Sequence, residues 1–216
     1  MRWIGRLEDA PADISEPLIW CARADDASVT ALLARERSTP EDLADAASAK
    51  AADGGESRLR RRLMLKALAA RAFGVAASEV RVERQPAGGQ SIAAPQALFA
   101  SAAGRGAWAA VAVAPQPIGV DVETLPPEQP LPVDLLHPEE QRMVADLDEA
   151  ARGATFLRLW TLKEAYAKAA GVALETALPA ARFRLDTGGG IAAAPPGARG
   201  SVSSTPEMIA AAVLLS

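Results

Sequence analysis

Residues 118–123 read IGVDVE, in which two acidic side chains, Asp121 and Glu123, alternate with apolar ones. This alternation is typical of a β-strand, whose successive side chains point to opposite faces, so both carboxylates are expected on one face. The valines would then face the core, and Gly119 would let the backbone run close to a neighbour or a ligand. Two adjacent carboxylates repel each other unless a cation lies between them, and hard oxygen ligands of this kind suit Mg²⁺ or Mn²⁺. A strand with a solvated polar face is the alternative.

A second informative segment is residues 159–171, LWTLKEAYAKAAG, which predicts a helix that ends at Gly171. Glu164 and Lys168 lie one turn apart on it. Together with Lys163 they could direct two cations and a third carboxylate towards a phosphate and its metal. The alternative is a Glu–Lys pair on a wet helix surface, an interaction worth only about 0.3 kcal/mol.

The charge balance and the scarcity of His and Cys exclude several kinds of site. The chain has 216 residues with 23 Lys and Arg against 27 Asp and Glu, a formal net charge of −4, and it contains one His and one Cys. A single cysteine, Cys21, cannot form an intramolecular disulfide, and one His with one Cys cannot furnish a usual zinc site. The chain also lacks the G-x-S-x-G pattern of a nucleophile elbow. Any chemistry is therefore expected to use carboxylates and lysines.

The composition is that of a soluble globular protein. Hydrophobic residues make up 50% and charged residues 23% of the chain, which is enough apolar material for one domain or two small ones. The mild acidity argues against nucleic acid as a partner. Charges interrupt residues 1–15 where a signal peptide would be apolar. The longest uncharged stretch, from Gln85 up to Arg105, is too rich in Gly, Pro and Gln for a membrane span. We expect a cytoplasmic protein with no membrane partner.

Periodicity and turn residues predict an α+β fold. Five helices are predicted, over residues 26–37, 41–51, 57–73, 138–150 and 154–170. Six strands are predicted, over residues 18–22, 80–84, 107–114, 118–123, 181–185 and 208–215. Residues 124–132 and 188–200 are predicted to be loops. Because helices followed by strands occur twice, two similar halves are expected, residues 1–115 and 116–216.

The single histidine is expected to have a structural place. His137 precedes Pro138, which is well suited to the first position of a helix, and two acids follow it where they favour the helix amino end. A capping or surface histidine is therefore predicted rather than a catalytic base.

Taken together, GVDVE at residues 119–123 and WTLKEAYAK at residues 160–168 resemble the bipartite signature of the phosphopantetheinyl transferase superfamily. The chain length and the basic helix upstream are similar to its Sfp-type (surfactin-synthetase-activating) branch. The resemblance covers roughly residues 57–186. It implies two pseudo-symmetric α+β subdomains with the active site in the cleft between them, and we expect a monomer.

Members of this family transfer the 4′-phosphopantetheine arm of coenzyme A to a serine of an acyl or peptidyl carrier protein and release adenosine 3′,5′-bisphosphate. The resemblance implies that Asp121, Glu123 and Glu164 bind Mg²⁺, with Mn²⁺ as an alternative. It also implies that Glu164, directly or through a metal-bound water, helps to deprotonate the carrier serine, while Lys163 and Lys168 stabilise the pyrophosphate and the departing phosphate. The carrier would dock through apolar and basic surface near the cleft.

The basic helix offers a phosphate-binding face. Arg58, Arg62 and Lys66 follow one another at four-residue spacing and therefore share one side of the helix. The resemblance implies that basic groups in this region bind the 3′-phosphate of coenzyme A. A solvated basic helix face is the alternative.

Two positions depart from the family pattern. The family histidine that contacts a coenzyme A phosphate would fall at Ala102 or Ala103, and the lysine of an upstream G-K-P turn would fall at Gln90. Each lost charge-assisted contact would weaken binding by about 1.5–3 kcal/mol. Two other functions therefore stay open: a weakened or non-catalytic relative that binds coenzyme A or a carrier protein, and a metal-dependent phosphohydrolase that uses the same carboxylates.

Overall fold

Helices and sheets alternate along the chain in the computed structural model, which describes residues 1–35, 38–49, 54–84 and 90–216. The predicted α+β class is confirmed. Contacts between Cα atoms divide the chain into two compact units, Met1–Pro115 and Gln116–Ser216. No helix within the described ranges is long and apolar enough to span a bilayer.

In its described residues the first unit has one mixed sheet and three α-helices. In chain order its elements are β1 (Arg2–Ile4), β2 (Leu18–Arg23), α1 (Ala27–Arg35), α2 (Pro40–Ala47), α3 (Gly54–Phe73), β3 (Arg81–Arg84), β4 (Gln90–Ala94), β5 (Leu98–Arg105) and β6 (Trp108–Ala114). The six strands form one sheet in the order β1-β2-β6-β5-β4-β3, in which only the β1–β2 pair is parallel. The core lies between this sheet and α3, where Leu65 and Leu68 are fully buried.

The second unit is built around one long helix on a small sheet. Its elements are β7 (Ile118–Thr124), α4 (Pro138–Ala145), α5 (Glu149–Ala170), α6 (Leu174–Ala180), β8 (Arg184–Leu185), β9 (Ile191–Ala193), β10 (Ala198–Ser204) and β11 (Met208–Leu215). Strands β10, β11 and β7 form an antiparallel sheet with β11 in the centre, and β8 pairs with β9. The core between α5 and this sheet includes Leu159, Leu162 and Ile209.

Capping residues set the ends of α5. Asp148 precedes the helix, and its Oδ1 accepts a hydrogen bond from the backbone N–H of Ala151 at 2.8 Å. Gly171 ends it in the left-handed conformation with φ 65°, which confirms the predicted end. The predicted helix over residues 138–150 is too long, because α4 ends at Ala145 and a new helix begins after Asp148.

His137 caps α4, as predicted. Its Nδ1 accepts a hydrogen bond from the backbone N–H of Glu139 at 3.2 Å. The Glu140 carboxylate accepts one in return from the backbone N–H of His137 at 3.1 Å. The histidine is therefore used at the helix end and lies in no cluster with the acidic residues of β7.

The prediction of a flexible loop over residues 188–200 is wrong in part. This range contains β9 and the beginning of β10, which pairs along its whole length with β11. Gly200 is a packing residue there, because a Cβ atom at this position would lie 2.6 Å from Cδ1 of Ile191. Residues 124–132, also predicted to be a loop, contain no regular element beyond the last residue of β7.

Several elements were not predicted from the sequence, namely β1, β4, β5, β9, β10 and α6. Strand β5 shows why: it reads LFASAAGR, and small residues have little preference for strands. Its pairing with β6, a long-range contact, stabilises it. The predicted ends of the first two helices, at residues 37 and 51, lie outside the described residues.

The two backbones of β7 and α5 come very close at Gly119. A Cβ atom added there would lie 1.9 Å from the carbonyl oxygen of Ala165 and 2.7 Å from the backbone nitrogen of Ala169. Both obstacles are backbone atoms and cannot move aside as a side chain can. The predicted close approach at Gly119 is therefore an approach to the neighbouring helix.

Replacing Gly119 with alanine should separate β7 from α5. We expect Gly119→Ala to lower the free energy of unfolding by about 3 kcal/mol or more, at the upper end of overpacking effects. Gly5→Ala is the matched control, because nothing lies within 4 Å of a Cβ atom at Gly5. Urea denaturation of both variants measures the difference. Equal stability of the two would contradict the backbone contact.

Candidate active site

Three carboxylates come together on β7 and α5. One oxygen each from Asp121, Glu123 and Glu164 lies within 4.8 Å of the others. In the β7–β11 ladder Asp121 pairs with Ala211 and Glu123 with Ile209, and both partners belong to the core beneath α5. The two strand carboxylates therefore share one face, as predicted, and α5 covers that face.

Asp121 is held inside this cluster. Only 4% of its surface is exposed, and its Oδ1 accepts a hydrogen bond from Nζ of Lys168 at 2.7 Å. The same ammonium also donates to the carbonyl oxygen of Val120 at 3.1 Å. The second carboxylate oxygen, Oδ2, is buried and has no hydrogen-bond partner among the described residues. The alternative interpretation of β7, a strand whose polar face is simply solvated, therefore does not describe Asp121.

The environment of Asp121 opposes its ionisation. Burial raises the pKa of its carboxyl from 3.8 to about 8; the Lys168 ammonium works against this shift, and the nearby Glu164 carboxylate adds to it. In the metal-free protein one lysine thus offsets only part of the repulsion among three acids. A divalent cation would complete the neutralisation.

Trp160 fixes the third carboxylate. Its indole Nε1 donates a hydrogen bond to Oε1 of Glu164, one helical turn away, at 3.0 Å. The indole in turn packs against Phe156, with ring centroids 5.6 Å apart. The sequence indicated only a structural tryptophan here, because an i,i+4 pair does not by itself reveal a hydrogen bond to a charged side chain.

The donor set fits a hard divalent cation. All three groups offer carboxylate oxygens, the ligands that Mg²⁺ and Mn²⁺ prefer. The buried Asp121 Oδ2 without a protein donor is the specific sign of such a site, because buried polar atoms are normally paired. Asp121, Glu123 and Glu164 can therefore hold the metal.

Residues 117–206 match the family model of the 4′-phosphopantetheinyl transferase superfamily. The matched range contains all three carboxylates, Lys163 and Lys168, and it agrees with the superfamily expected from the two motifs. This superfamily consists of transferases of phosphopantetheine that use coenzyme A and act on carrier proteins. No curated protein matches the chain. Assignment to the Sfp-type branch stays a prediction.

Lys163 does not lie with the carboxylates of this cluster. It is fully buried, and its Nζ forms an ion pair with Oε2 of Glu140 at 2.7 Å. It also donates hydrogen bonds to the carbonyl oxygens of Leu178 and Ala181. Burial lowers the pKa of Lys163, although Glu140 counteracts the shift. This cation already has three acceptors and connects α5 to α4 and to the end of α6, and its contact with pyrophosphate stays a prediction.

The basic helix places two of its predicted phosphate-binding cations in buried ion pairs. Arg62 and Lys66 are 6% and 2% exposed, and both bind the buried Asp42 of α2, at 2.5 Å and 2.7 Å. Burial raises the pKa of Asp42, but hydrogen bonds from Lys66, the Thr39 backbone and Arg62 outweigh it and hold the pKa at about 2. In the structure both cations join α2 to α3, and binding of a coenzyme A phosphate by Arg62 and Lys66 stays a prediction.

The remaining predicted positions lie on helix α3 and on strands β4 and β5 of the first unit. Arg58 is half-buried and donates hydrogen bonds to the Asp45 carbonyl and the Ser48 hydroxyl. Ala102 lies in β5 on the face that packs against α3, whereas Ala103 is buried on the opposite face. Gln90 begins β4, and its buried Oε1 has no partner among the described residues.

Neutralising Asp121 should stabilise the metal-free protein. The carboxyl is protonated in the folded state up to a pKa of about 8 but ionises near 3.8 when unfolded, so the folded state binds more protons between these values. Stability of the metal-free wild type should therefore fall as pH rises across this interval. The slope should be absent in Asp121→Asn, which should melt at a higher temperature than wild type at pH 8.

Adding Mg²⁺ provides the control for this comparison. Metal should raise the melting temperature of the wild type at pH 8 and leave Asp121→Asn unchanged, because binding to the folded state stabilises it. Parallel pH profiles of the two metal-free proteins would contradict the buried, protonated carboxyl.

Removing the charge of Lys163 should cost stability rather than substrate affinity. Lys163→Met leaves Glu140 buried without its counter-ion, which typically costs about 3–5 kcal/mol. Chemical denaturation measures this loss, and the folded fraction is then tested for coenzyme A binding by calorimetry. Unchanged stability with lost coenzyme A affinity would restore the phosphate-binding role.

Proposed function

We propose that this protein transfers the 4′-phosphopantetheine arm of coenzyme A to a serine of an acyl or peptidyl carrier protein in a Mg²⁺-dependent reaction, as an Sfp-type enzyme. The observation that carries the proposal is the cluster of Asp121, Glu123 and Glu164 with its unpartnered buried oxygen. The superfamily match over the same residues supports it.

The reaction exchanges one phosphorus–oxygen bond for another. The serine oxygen bonds to the phosphorus that carries the pantetheine arm, and the bond from that phosphorus to the bridging oxygen of the pyrophosphate breaks. The bridging oxygen keeps the electron pair and leaves with adenosine 3′,5′-bisphosphate. The serine proton passes to Glu164 or to water. No oxidant or reductant is needed.

The chain's own residues have separate tasks in this proposal. Asp121, Glu123 and Glu164 would hold Mg²⁺, which supplies positive charge to the pyrophosphate when bound. Trp160 holds Glu164 in one orientation through its N–H. Lys168 is the one motif lysine whose side chain is partly exposed, at 35%, and it would donate to the pyrophosphate once a metal neutralises Asp121. Lys163 would position α5 through its buried pair with Glu140 rather than contact substrate.

Transfer to a carrier protein is the direct test. The purified protein is incubated with coenzyme A, Mg²⁺ and a panel of apo carrier proteins, and intact mass is measured. We expect one carrier to gain the phosphopantetheine mass with wild type and with Glu175→Gln, an exposed glutamate of α6. Glu164→Gln should be slower by roughly 100-fold or more, because it loses a metal ligand and a proton acceptor. No mass gain on any carrier would reject the proposal.

A conservative variant of Trp160 tests whether its hydrogen bond to Glu164 positions the metal ligand, as distinct from a general loss of folding. Trp160→Phe keeps an aromatic ring but removes the donor to Glu164, so Mn²⁺ affinity and transfer rate should both fall by roughly 10-fold to 100-fold. Tyr166→Phe is the control on the same helix, because it keeps the edge contact of its ring with Phe183. Equal Mn²⁺ affinity of the two variants would show that the indole N–H is dispensable.

Binding without transfer is the second candidate. It is favoured by Ala102, Ala103 and Gln90, which stand where the resemblance implies phosphate-binding side chains. A regulator or scaffold of this kind would bind coenzyme A with Mg²⁺ in calorimetry and modify no carrier. Release of inorganic phosphate from coenzyme A without an acceptor would instead indicate a phosphohydrolase.

A further inference from the structure

A pocket of about 450 Å³ lies beside α1 in the first unit. Its described lining comes from the turn after β1, from β2, from one side of α1 and from Arg71 near the end of α3. None of these residues belongs to the carboxylate cluster or is one of the predicted phosphate-binding cations. The volume lies within the usual range of small-molecule pockets, about 300–1,000 Å³. The pocket is therefore large enough for a ligand of its own.

Much of the lining is apolar. Trp20 and Val29 are 1% and 4% exposed and belong to the core of the first unit. Leu7 and Leu32 are half-buried and pack against that core. The indole N–H of Trp20 donates a hydrogen bond to the carbonyl oxygen of Gly5 at 3.1 Å. Because this N–H is the only polar group of the indole and already has its acceptor, Trp20 offers a ligand only apolar ring surface.

Helix α1 leaves part of this apolar surface uncovered. Its larger apolar residues, Val29, Leu32 and Leu33, recur at helical spacing and form one face, but only Val29 is fully buried. Ala31, Leu32 and Arg35 line the pocket. One side of α1 therefore borders open space, and an apolar ligand bound there would remove the exposed part of Leu32 from water.

The exposed part of the lining is positively charged. Its described residues include the arginines Arg6, Arg35 and Arg71 and one acid, Glu8. Glu8 forms an ion pair with Arg6. Within the part of the chain that the structure describes, neither Arg35 nor Arg71 forms an ion pair or a side-chain hydrogen bond. Two cations beside an apolar pocket thus lack a counter-ion there, although the whole chain has a net charge of −4.

The acid that precedes α1 does not neutralise them. Asp26 accepts hydrogen bonds from the hydroxyl and the backbone N–H of Ser28, at 2.5 Å and 2.8 Å. These hydrogen bonds lower the pKa of Asp26, and the positive charge of Arg6 lowers it further. Arg6 is thus the arginine that interacts with both acids, and Arg35 and Arg71 are available to an external anion.

We propose that this pocket binds a free medium-chain carboxylic acid, with its alkyl chain against Trp20 and Leu32 and its carboxylate beside Arg35 and Arg71. The planar fork of an arginine suits the two oxygens of a carboxylate. A free acid fits better than a lipid held in a membrane, because the pocket has the size of one small ligand. The site uses neither the carboxylate cluster nor coenzyme A, so failure of the proposed function would leave it unchanged.

Decanoate and 1-decanol test the proposal, because they share an alkyl chain and differ in charge. Each is titrated into the full chain by calorimetry, below its aggregation limit and without coenzyme A or Mg²⁺. At low salt, wild type should bind decanoate about fivefold to tenfold more tightly, since exposed ion pairs contribute modestly, and added salt should reduce this preference. The double variant Arg35→Gln with Arg71→Gln should bind both compounds equally. Arg81→Gln, which changes an exposed arginine of β3 outside the pocket, should keep the preference.

Two further variants fill the pocket and leave both arginines in place. Gly5→Leu adds a side chain where nothing lies within 4 Å of a Cβ atom. Ala31→Leu enlarges an exposed residue of α1 that lines the pocket, and leucine is a good helix former. Both variants should melt near the wild-type temperature and bind decanoate at least about tenfold more weakly. Wild-type affinity for decanoate in both folded variants would overturn the proposal.

The other outcomes of the titrations also decide the question. Equal affinity of wild type for decanoate and decanol would show an apolar pocket that does not select an anion, and no binding of either would show that no alkyl chain enters it. Sedimentation with vesicles of anionic phospholipid distinguishes a free acid from a membrane. Binding to vesicles that requires Arg35 and Arg71, without affinity for decanoate, would show a membrane-binding surface. Each of these three results would reject the proposal.

Discussion

The site depends on the contact between the backbones of β7 and α5 at Gly119. A strand and a helix usually keep their backbones apart by the width of a side chain, but here the glycine faces Ala165 and Ala169 with no Cβ between them. At this separation the side chain two residues along the strand, Asp121, reaches the level of Glu164 on the helix. The missing side chain of Gly119 thus sets the distance between ligands that come from two different elements.

The short distances among the three carboxylates cause electrostatic repulsion, which other interactions in the second unit must balance. Three carboxylates within a few ångströms repel one another strongly in a partly buried setting. Lys168 offsets part of the repulsion, and protonation of Asp121 offsets more in the metal-free protein. Helix α5 is held in place on another side by the Lys163–Glu140 pair, whose donors and acceptors are all used. Packing and a buried ion pair therefore hold together a cluster that would separate on its own.

Local pattern was enough to predict the two motif elements, because each depends on short-range rules, whereas the meeting of their carboxylates in one cluster was implied by the family resemblance. Alternation put Asp121 and Glu123 on one face, and the glycine that follows Ala170 ended α5. The partners of the cations could not be found in this way. Arg62 binds an aspartate 20 residues earlier in the chain, and Lys163 binds carbonyl oxygens 15 and 18 residues later. Helical spacing shows which residues share a face, but only the folded chain shows what covers that face.

Most of the buried or half-buried cations of α3 and α5 pair with a carboxylate, so the arginines that do not are notable. The chain has more acidic than basic residues, 27 against 23, so an average cation finds a carboxylate within reach. Arg60, Arg62 and Lys66 do so on α3, and Lys163 and Lys168 do so on α5. Half-buried arginines that bind only neutral oxygens are costly in such a chain unless an external anion completes them. Arg58 and Arg61 differ from these cations in the described residues, because their acceptors there are the neutral oxygens of Asp45, Ser48 and Ser57.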